Sequence, residues 1–413
     1  MEDLNVVYLD YNATTPVEPE VIESIQDALK NAWGNPSSSH HAGRRAKILI
    51  DKAREDVAKM LGARSSDIVF TSGGTEADNM ILQTAVDYFH KMCKTPVNGS
   101  GDQNKHLPHI ISSHMEHPAV NVMLQHLEST DQAEISYVPL SKVTGRLEVK
   151  DVLEAVRSNT IMVTVMLANN ETGIIQPVKA ISEAVKSLIR QPGETERILV
   201  HTDAAQAIGK IPVDVDELAV DYLTVVGHKF YGPRIGAVYA RDLETQGAPL
   251  YPMLFGGGQE RNYRPGTENT GMIVGLGKAC ELVYSNLEKY QQQMNECRDY
   301  LEAKLQETFA GRLHFNGKLP GNTRLPNTCN VSILGDKLQG HTVLSACKRL
   351  QASVGAACHA QNRPSAILLA TGVPENIARN ALRLSLGRYT SKEDIDVVIE
   401  DLKQAVMSIE NNE

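Results

Sequence analysis

Apolar and polar residues follow two alternating rhythms along this chain. Short apolar runs at 6–9, 68–70, 109–113, 135–139, 160–167, 198–201, 222–226 and 236–240 have the length and composition of strands. Between them, apolar residues recur every three to four positions. Val21, Ile22, Ile25, Ala28 and Leu29 predict a helix opened by Pro16 and closed at Gly34-Asn35-Pro36. Leu49, Ile50, Ala53, Val57 and Met60 predict another over 43–61, stopped by Gly62. Further helices are predicted from the turn at Gly73-Gly74 to about Cys93, and over 150–157, 178–189, 270–309, 341–350 and 391–409, the last with Ser391 as its cap. Residues 95–108 are polar and rich in turn formers and read as a surface insertion, 316–327 is turn-rich, and 329–334 and 381–386 read as strands. Run 160–167 is apolar almost throughout, as a parallel strand covered on both faces should be. Strands alternating with helices predict an α/β fold with a mostly parallel central sheet, whose ligands gather beyond the carboxyl ends of the strands.

Composition narrows the function. A chain of 413 residues, 42% hydrophobic, can bury a large core and divides into a large domain, 15–260, and a smaller α+β domain made of 1–14 and 261–413. A formal net charge of -9 without a basic stripe argues against a nucleic-acid partner, and no apolar run approaches the roughly 18 residues needed to cross a bilayer. The acidic, strand-like start MEDLNVVYLDYNATTP resembles neither a secretory signal nor a transit peptide. Six cysteines (Cys93, Cys280, Cys297, Cys329, Cys347, Cys358) form no C-x-x-C pair, which fits free thiols in a reducing compartment, the cytoplasm by default.

Candidate chemistry sits where predicted strands end. Apolar run 222–226 breaks at Gly227 and delivers His228 and Lys229 before a turn at Gly232-Pro233. Burial of a lysine there would disfavour its ammonium form and leave a nucleophilic amine, although a lysine that merely snorkels from a strand end explains the stretch too. Thr71-Ser72-Gly73-Gly74-Thr75-Glu76 joins a strand to a helix N-terminus, where backbone N–H groups face an anion; a plain glycine turn with an N-capping threonine reads the same way. His117 follows another strand end and suits stacking or proton transfer, or simply a satisfied polar contact. Asn170, in Ala168-Asn169-Asn170-Glu171, and Asp203, in Thr202-Asp203-Ala204-Ala205-Gln206, follow two more. A glycine- and arginine-rich loop, 255–269, precedes the long helix, and Cys358 lies in a small-residue stretch, Gly355-Ala356-Ala357-Cys358-His359.

Together with Tyr8-Leu9-Asp10-Tyr11-Asn12-Ala13-Thr14-Thr15-Pro16, these motifs resemble the pyridoxal-phosphate enzymes of the class V aminotransferase family over nearly the whole chain. Within that family the chain is similar to the cysteine desulfurases and, more closely, to the lyases that act on L-selenocysteine. The resemblance implies a fold-type I transferase architecture with pyridoxal 5'-phosphate as cofactor. Lys229 would hold it as a Schiff base, and Asp203 would keep its pyridine nitrogen protonated. Gln206 and Asn170 would bond its ring oxygen region, and His117 would stack on its face. Gly74, Thr75 and His228 would bind its phosphate, with Thr267 reaching in from the second subunit of a homodimer. Arg383 would take the substrate α-carboxylate. Cys358 matches the loop cysteine that acts on the side-chain chalcogen. The implied reaction breaks L-selenocysteine into L-alanine and selenide or elemental selenium for recycling, with a selenide-accepting protein as a further partner. The alternative is a cysteine desulfurase that passes persulfide sulfur to an acceptor protein. No metal site is expected. Val226 stands where many relatives carry a serine, so one phosphate donor is expected to be lost or supplied elsewhere, and Gly-Ala-Ala-Cys replaces the more usual Gly-Ser-Ala-Cys of the desulfurases that feed iron–sulfur assembly.

Overall fold

The structure, a computed structural model, describes residues 6–93 (the side chain of Cys93 apart), 107–192, 194–245, 247–355 and 364–411. The twelve strands are β1 (Val7–Tyr8), β2 (Ile68–Thr71), β3 (His109–Ser113), β4 (Glu134–Val138), β5 (Thr160–Thr164), β6 (Leu199–Asp203), β7 (Tyr222–Val226), β8 (Gly236–Ala240), β9 (Leu313–Phe315), β10 (Thr328–Ile333), β11 (Leu350–Gln351) and β12 (Ala381–Ser385). Seven of them form one sheet in the order β2-β8-β7-β6-β5-β3-β4. Every neighbouring pair from β7 to β4 is parallel, while β8 runs antiparallel to both β2 and β7. Gly236 at the start of β8 pairs with both Thr71 and Val226, so the carboxyl ends of β2 and β7 lie side by side at one sheet edge.

Helices cover both faces of this sheet. Along β2 and β8 successive residues point to opposite cores: Ile68, Phe70, Ala237 and Tyr239 to one, Val69, Val238 and Ala240 to the other. A third core gathers Val7, Leu9, Leu301, Leu305, Val331, Leu384 and Leu402 around the antiparallel sheet β12-β10-β9 and the parallel pair β1-β11. Helix Thr270–Thr308 serves two of these cores, burying Ile273, Leu276 and Val283 in the first and Leu301 and Leu305 in the third. Helix Lys392–Asn411 opens with a reciprocal cap, Ser391 Oγ accepting from Asp394 N–H while the Asp394 carboxylate accepts from Ser391 N–H. No helix among the described residues is long and apolar enough to cross a membrane.

Among the boundaries that differ from the periodicity reading, three bear on the site or the third core. The first helix begins at Pro19 rather than Pro16, because Thr15 N–H bonds His228 O and Glu18 N–H bonds Tyr231 O, which holds 15–18 extended. Strand β5 stops at Thr164, although Val165 and Leu167 still donate to His201 O and Asp203 O on β6. The helix expected over 341–350 ends at Ala346, since the buried Asp401 carboxylate takes the N–H groups of Lys348, Arg349 and Leu350 and turns the chain into β11. Residues 94–106 of the expected insertion lie outside the described residues.

Close helix packing around the long helix depends on Gly277, where an added Cβ would sit 2.6 Å from Ala53 Cα on helix His41–Leu61. Gly277→Ala should therefore lower unfolding stability by about 1–3 kcal/mol in denaturant titration.

Candidate active site

Lys229 is delivered by a loop that closes on Gly227. Gly227 N–H bonds Ile235 O at 2.9 Å, and Gly227 O accepts from Phe230 at 3.1 Å and Gly232 at 3.0 Å. Behind this turn, β7 is wholly buried, so the strand anchors the lysine while its side chain enters a cavity of about 500 Å³. Lys229 Nζ donates to two backbone carbonyls, Asn12 O at 2.7 Å and Ala13 O at 2.9 Å. Burial, reinforced by the Arg383 charge and opposed by Asp203 and Asp10, lowers its pKa to about 8.

Most of the other sequence candidates line the same cavity: Gly74, Thr75, His117, Asn170, Asp203, Gln206, His228 and Arg383. Asp203 is the last residue of β6, and its Oδ1 accepts from Ala205 N–H at 2.9 Å. Burial raises its pKa, while that N–H, His117 and Lys229 pull it down. His117 caps helix Pro118–Ser129, its Nδ1 accepting from Ala119 N–H at 3.1 Å, so the neutral ring carries its proton on Nε2. The ring is open to the cavity by surface area, yet protein surrounds it deeply enough that desolvation lowers its pKa. His228 is held well toward the neutral form, its pKa lowered to about 4 by burial and by the charges of Lys229 and Arg234, and its Nδ1 meets Thr14 Oγ1 at 3.1 Å.

Asn170 owes its place to its neighbour. Asn169 Oδ1 accepts from Glu171 N–H, Thr172 N–H and the Thr172 hydroxyl, which winds the chain tightly beyond β5. Asn170 Oδ1 is then buried with no hydrogen-bond partner among the described residues, an acceptor left open beside the cavity. Helix Gly74–Cys93 starts at the cavity with Gly74 and Thr75, so its N-terminal N–H groups face that space. Val226, at the position of the missing serine, fills the room a side chain at 74 would need: a Cβ there would lie 2.5 Å from Val226 Cγ2.

Two candidates are not brought to the cavity. Thr267 lines a separate hollow of about 280 Å³ with Thr71, Ser72, Arg234 and Arg264. Cys358 lies outside the described residues, while Gly355 and Ala366 on either side of it both line the cavity. Arg383 reaches the cavity already engaged: Nη2 pairs with Asp10 Oδ1 at 2.6 Å, and Nη1 donates to Asn170 O at 3.2 Å and Gly355 O at 3.1 Å. The four cysteines described, Cys280, Cys297, Cys329 and Cys347, are free thiols, the first three buried.

Sequence reasoning missed several residues here. Glu116, beside His117, is buried against the Ser113 hydroxyl (2.7 Å) and Met166 N–H (2.9 Å), and burial raises its pKa to about 8. Asp78, one helical turn after Thr75, accepts from the Thr224 hydroxyl at 2.7 Å, with its pKa also raised by burial and by Asp203. Asn12 was legible only as part of a motif, yet its carbonyl receives both Lys229 and Gln206. An open acceptor, a helix N-terminus, a buried carboxylate and a lysine of lowered pKa around one cavity suit a planar, anionic, amine-reactive aldehyde. Asp203 and Asn170 would meet its ring, Gly74, Thr75 and His228 its anionic end.

In cofactor-free protein, labelling of Lys229 by a neutral acylating reagent should rise with pH through about 8 and then level off, as read by peptide mapping. Because Asp203 holds the Lys229 pKa up, Asp203→Asn should move that midpoint to lower pH.

Comparison with known proteins agrees with this geometry. The sequence pattern described as Aminotransferase class-V matches residues 7–398. A selenocysteine lyase of Bos taurus is 56% identical over 411 residues, covering 98% of this chain and 94% of its own length. Cysteine desulfurase IscS of Dictyoglomus turgidum is 38% identical over 405 residues, covering 97% and 94%. Among solved structures, a NifS-like protein superposes with a TM-score of 0.83 at 34% identity, covering 98% of this chain and all of the other. The chain belongs to the class-V aminotransferase family.

Proposed function

We propose that this chain is a pyridoxal-phosphate enzyme that breaks L-selenocysteine into L-alanine and selenium. The observation that carries the reading is the Lys229 amine, lowered to a pKa of about 8 among Asp203, His117 and Arg383 in one cavity, in a chain 56% identical to a selenocysteine lyase. When bound, pyridoxal phosphate supplies an electron sink for charge developed at the substrate Cα. Lys229 would hold the cofactor, and its amine, when free, would take and return the Cα proton, which a group near neutrality does well. Asp203 would face the pyridine nitrogen, Gln206 and Asn170 the ring oxygen, and His117 the ring face. Gly74, Thr75 and His228 would meet the phosphate, joined by Thr267 of a second subunit in a homodimer. Residues 15–260 would form the cofactor-binding domain, and 1–14 with 261–413 the smaller one that carries Cys358.

Arg383 takes the α-carboxylate through its planar fork. Cys358 then acts on the chalcogen. L-Alanine has the atoms of L-selenocysteine less one selenium, so the element leaves as Se(0), and release as selenide requires two electrons from a thiol reductant. A selenol is more acidic than a thiol and is already anionic near neutrality. Discrimination against L-cysteine therefore rests on charge more than on size. The reading places the enzyme in the cytoplasm, with a selenide-accepting protein as a further partner.

Alanine formation from L-selenocysteine and from L-cysteine at equal concentration tests this reading. Turnover of the selenium substrate at least roughly a hundredfold faster is expected, with both activities abolished in Lys229→Ala. Comparable turnover of the two would instead assign the chain to the cysteine desulfurases, and full activity of Cys358→Ala would remove the thiol from the reaction.

A further inference from the structure

Lys210 has no part in the reaction as described, yet its side chain is enclosed beside the cavity, only 4% exposed. Its Nζ donates to Gln206 Oε1 at 2.8 Å and to Asn12 Oδ1 at 3.3 Å, and no carboxylate among the described residues lies within ion-pair distance of it. Gln206 Nε2 donates in turn to Asn12 O at 2.9 Å, the carbonyl that also accepts from Lys229 Nζ. The three side chains thus close a ring through both oxygens of Asn12, and Lys229 hangs from that ring. Asn12 is itself fixed from outside, accepting from Asn327 Nδ2 at 3.0 Å and donating to Thr328 Oγ1 at 2.9 Å.

A glutamine amide has nearly the same shape either way round, so its neighbours decide which end faces where. With Lys210 donating to Oε1, the amide must present its nitrogen to Asn12 O. Turned over, it would set its oxygen against the Asn12 carbonyl oxygen and remove the acceptor that the Lys210 amine meets. Desolvation, with the charges of Lys229, Arg383 and Arg388 acting the same way, drives the Lys210 pKa well below that of an ordinary lysine. In either protonation state the amine carries at least two N–H donors, enough for the two oxygens it meets.

We propose that Lys210 is a positioning residue: by fixing the Gln206 amide against the Asn12 carbonyl, it fixes the Lys229 amine at the reacting atoms. This inference rests on Lys229 being the cofactor-bearing residue. Borohydride reduction of the holoenzyme followed by peptide mapping is therefore done first. Cofactor found on another peptide overturns the proposed function itself. With Lys229 labelled, kcat and KM for L-selenocysteine are measured in Lys210→Met, Lys210→Gln, Gln206→Leu and the double variants. Lys210→Met is expected to lower kcat roughly ten- to a hundredfold with KM within about twofold, since a small misplacement costs the chemical step more than binding. Lys210→Gln, which keeps a donor, should recover part of the loss, and neither Lys210 change should add to the loss caused by Gln206→Leu. The pH profile of Lys229 labelling in cofactor-free protein should also shift in Lys210→Met. Losses that add fully in the double variants, or an unchanged kcat together with an unchanged labelling profile, overturn the role of Lys210. If Lys210→Met does not fold, the same cycle with Lys210→Gln decides the question.

Discussion

The site depends on a lysine amine hydrogen-bonded to peptide carbonyls instead of carboxylates. A carboxylate partner would stabilise the ammonium form and raise the pKa, whereas a carbonyl orients the amine without supplying a full charge. Desolvation is then free to dominate, and it brings Lys229 to about 8. The two carbonyls come from Asn12 and Ala13, on the segment that leaves β1 in the third core and crosses to the large sheet. Thr15 pins that segment to the lysine loop, its N–H bonding His228 O at 3.0 Å and its Oγ1 accepting from Tyr231 N–H at 2.8 Å. The contacts that join two cores are therefore the contacts that place the reacting amine. Any slip between them would alter its surroundings directly.

Three buried carboxyl groups share the far side of the cavity, and their surroundings separate them. Burial raises the pKa of Asp78, Glu116 and Asp203 alike, and Asp203 pushes the other two higher. Only Asp203 has both Lys229 and His117 pulling the other way, besides the Ala205 N–H. Asp203 is accordingly the group whose charge its neighbours favour most, while Asp78 and Glu116 are held toward the protonated form. His201 gives Asp78 no compensating charge: burial lowers its pKa to about 3, although its Nε2 lies 3.7 Å from the Asp78 carboxylate. Holding Asp78 and Glu116 toward the protonated form lessens the repulsion that three anions around one cavity would create.

Strand-level organisation was legible because burial on both faces leaves apolar runs that a reader can find, and β3, β7 and β8 coincide with the predicted spans. Lys229, Asp203 and Asn170 were legible for the same reason, since residues at the ends of such runs must face the sheet edge where ligands collect. What periodicity could not supply was long-range hydrogen bonding. Asp401 shortens a helix fifty residues upstream, and Thr15 delays another by bonding a loop more than two hundred residues away. Asn12, Lys210 and Glu116 were illegible as site residues because nothing local marks them. Their importance lies in which distant groups they join, and a lysine in Gly209-Lys210-Ile211 reads as a surface residue until the packing above it is known.

Arg383 shows how far residue type alone can mislead about availability. A guanidinium in a strand beside a cofactor cavity invites a free carboxylate-binding fork, yet Asp10, Asn170 O and Gly355 O already occupy its two terminal nitrogens. Only Nε is buried with no partner among the described residues. An unpaired buried guanidinium would be costly, so the Asp10 pair is what allows the residue to sit there at 3% exposure before substrate arrives. Binding an α-carboxylate, the role proposed for Arg383, would then be an exchange or sharing of partners, with a net gain smaller than the strength of the new contact alone. The same exchange reaches the reacting amine, because Arg383 lowers the Lys229 pKa and Asp10 raises it. A second carboxylate at Arg383 would weaken the first effect, so under the proposed role of Arg383 recognition of the substrate's acid group and the basicity of Lys229 would be two readings of one charge distribution.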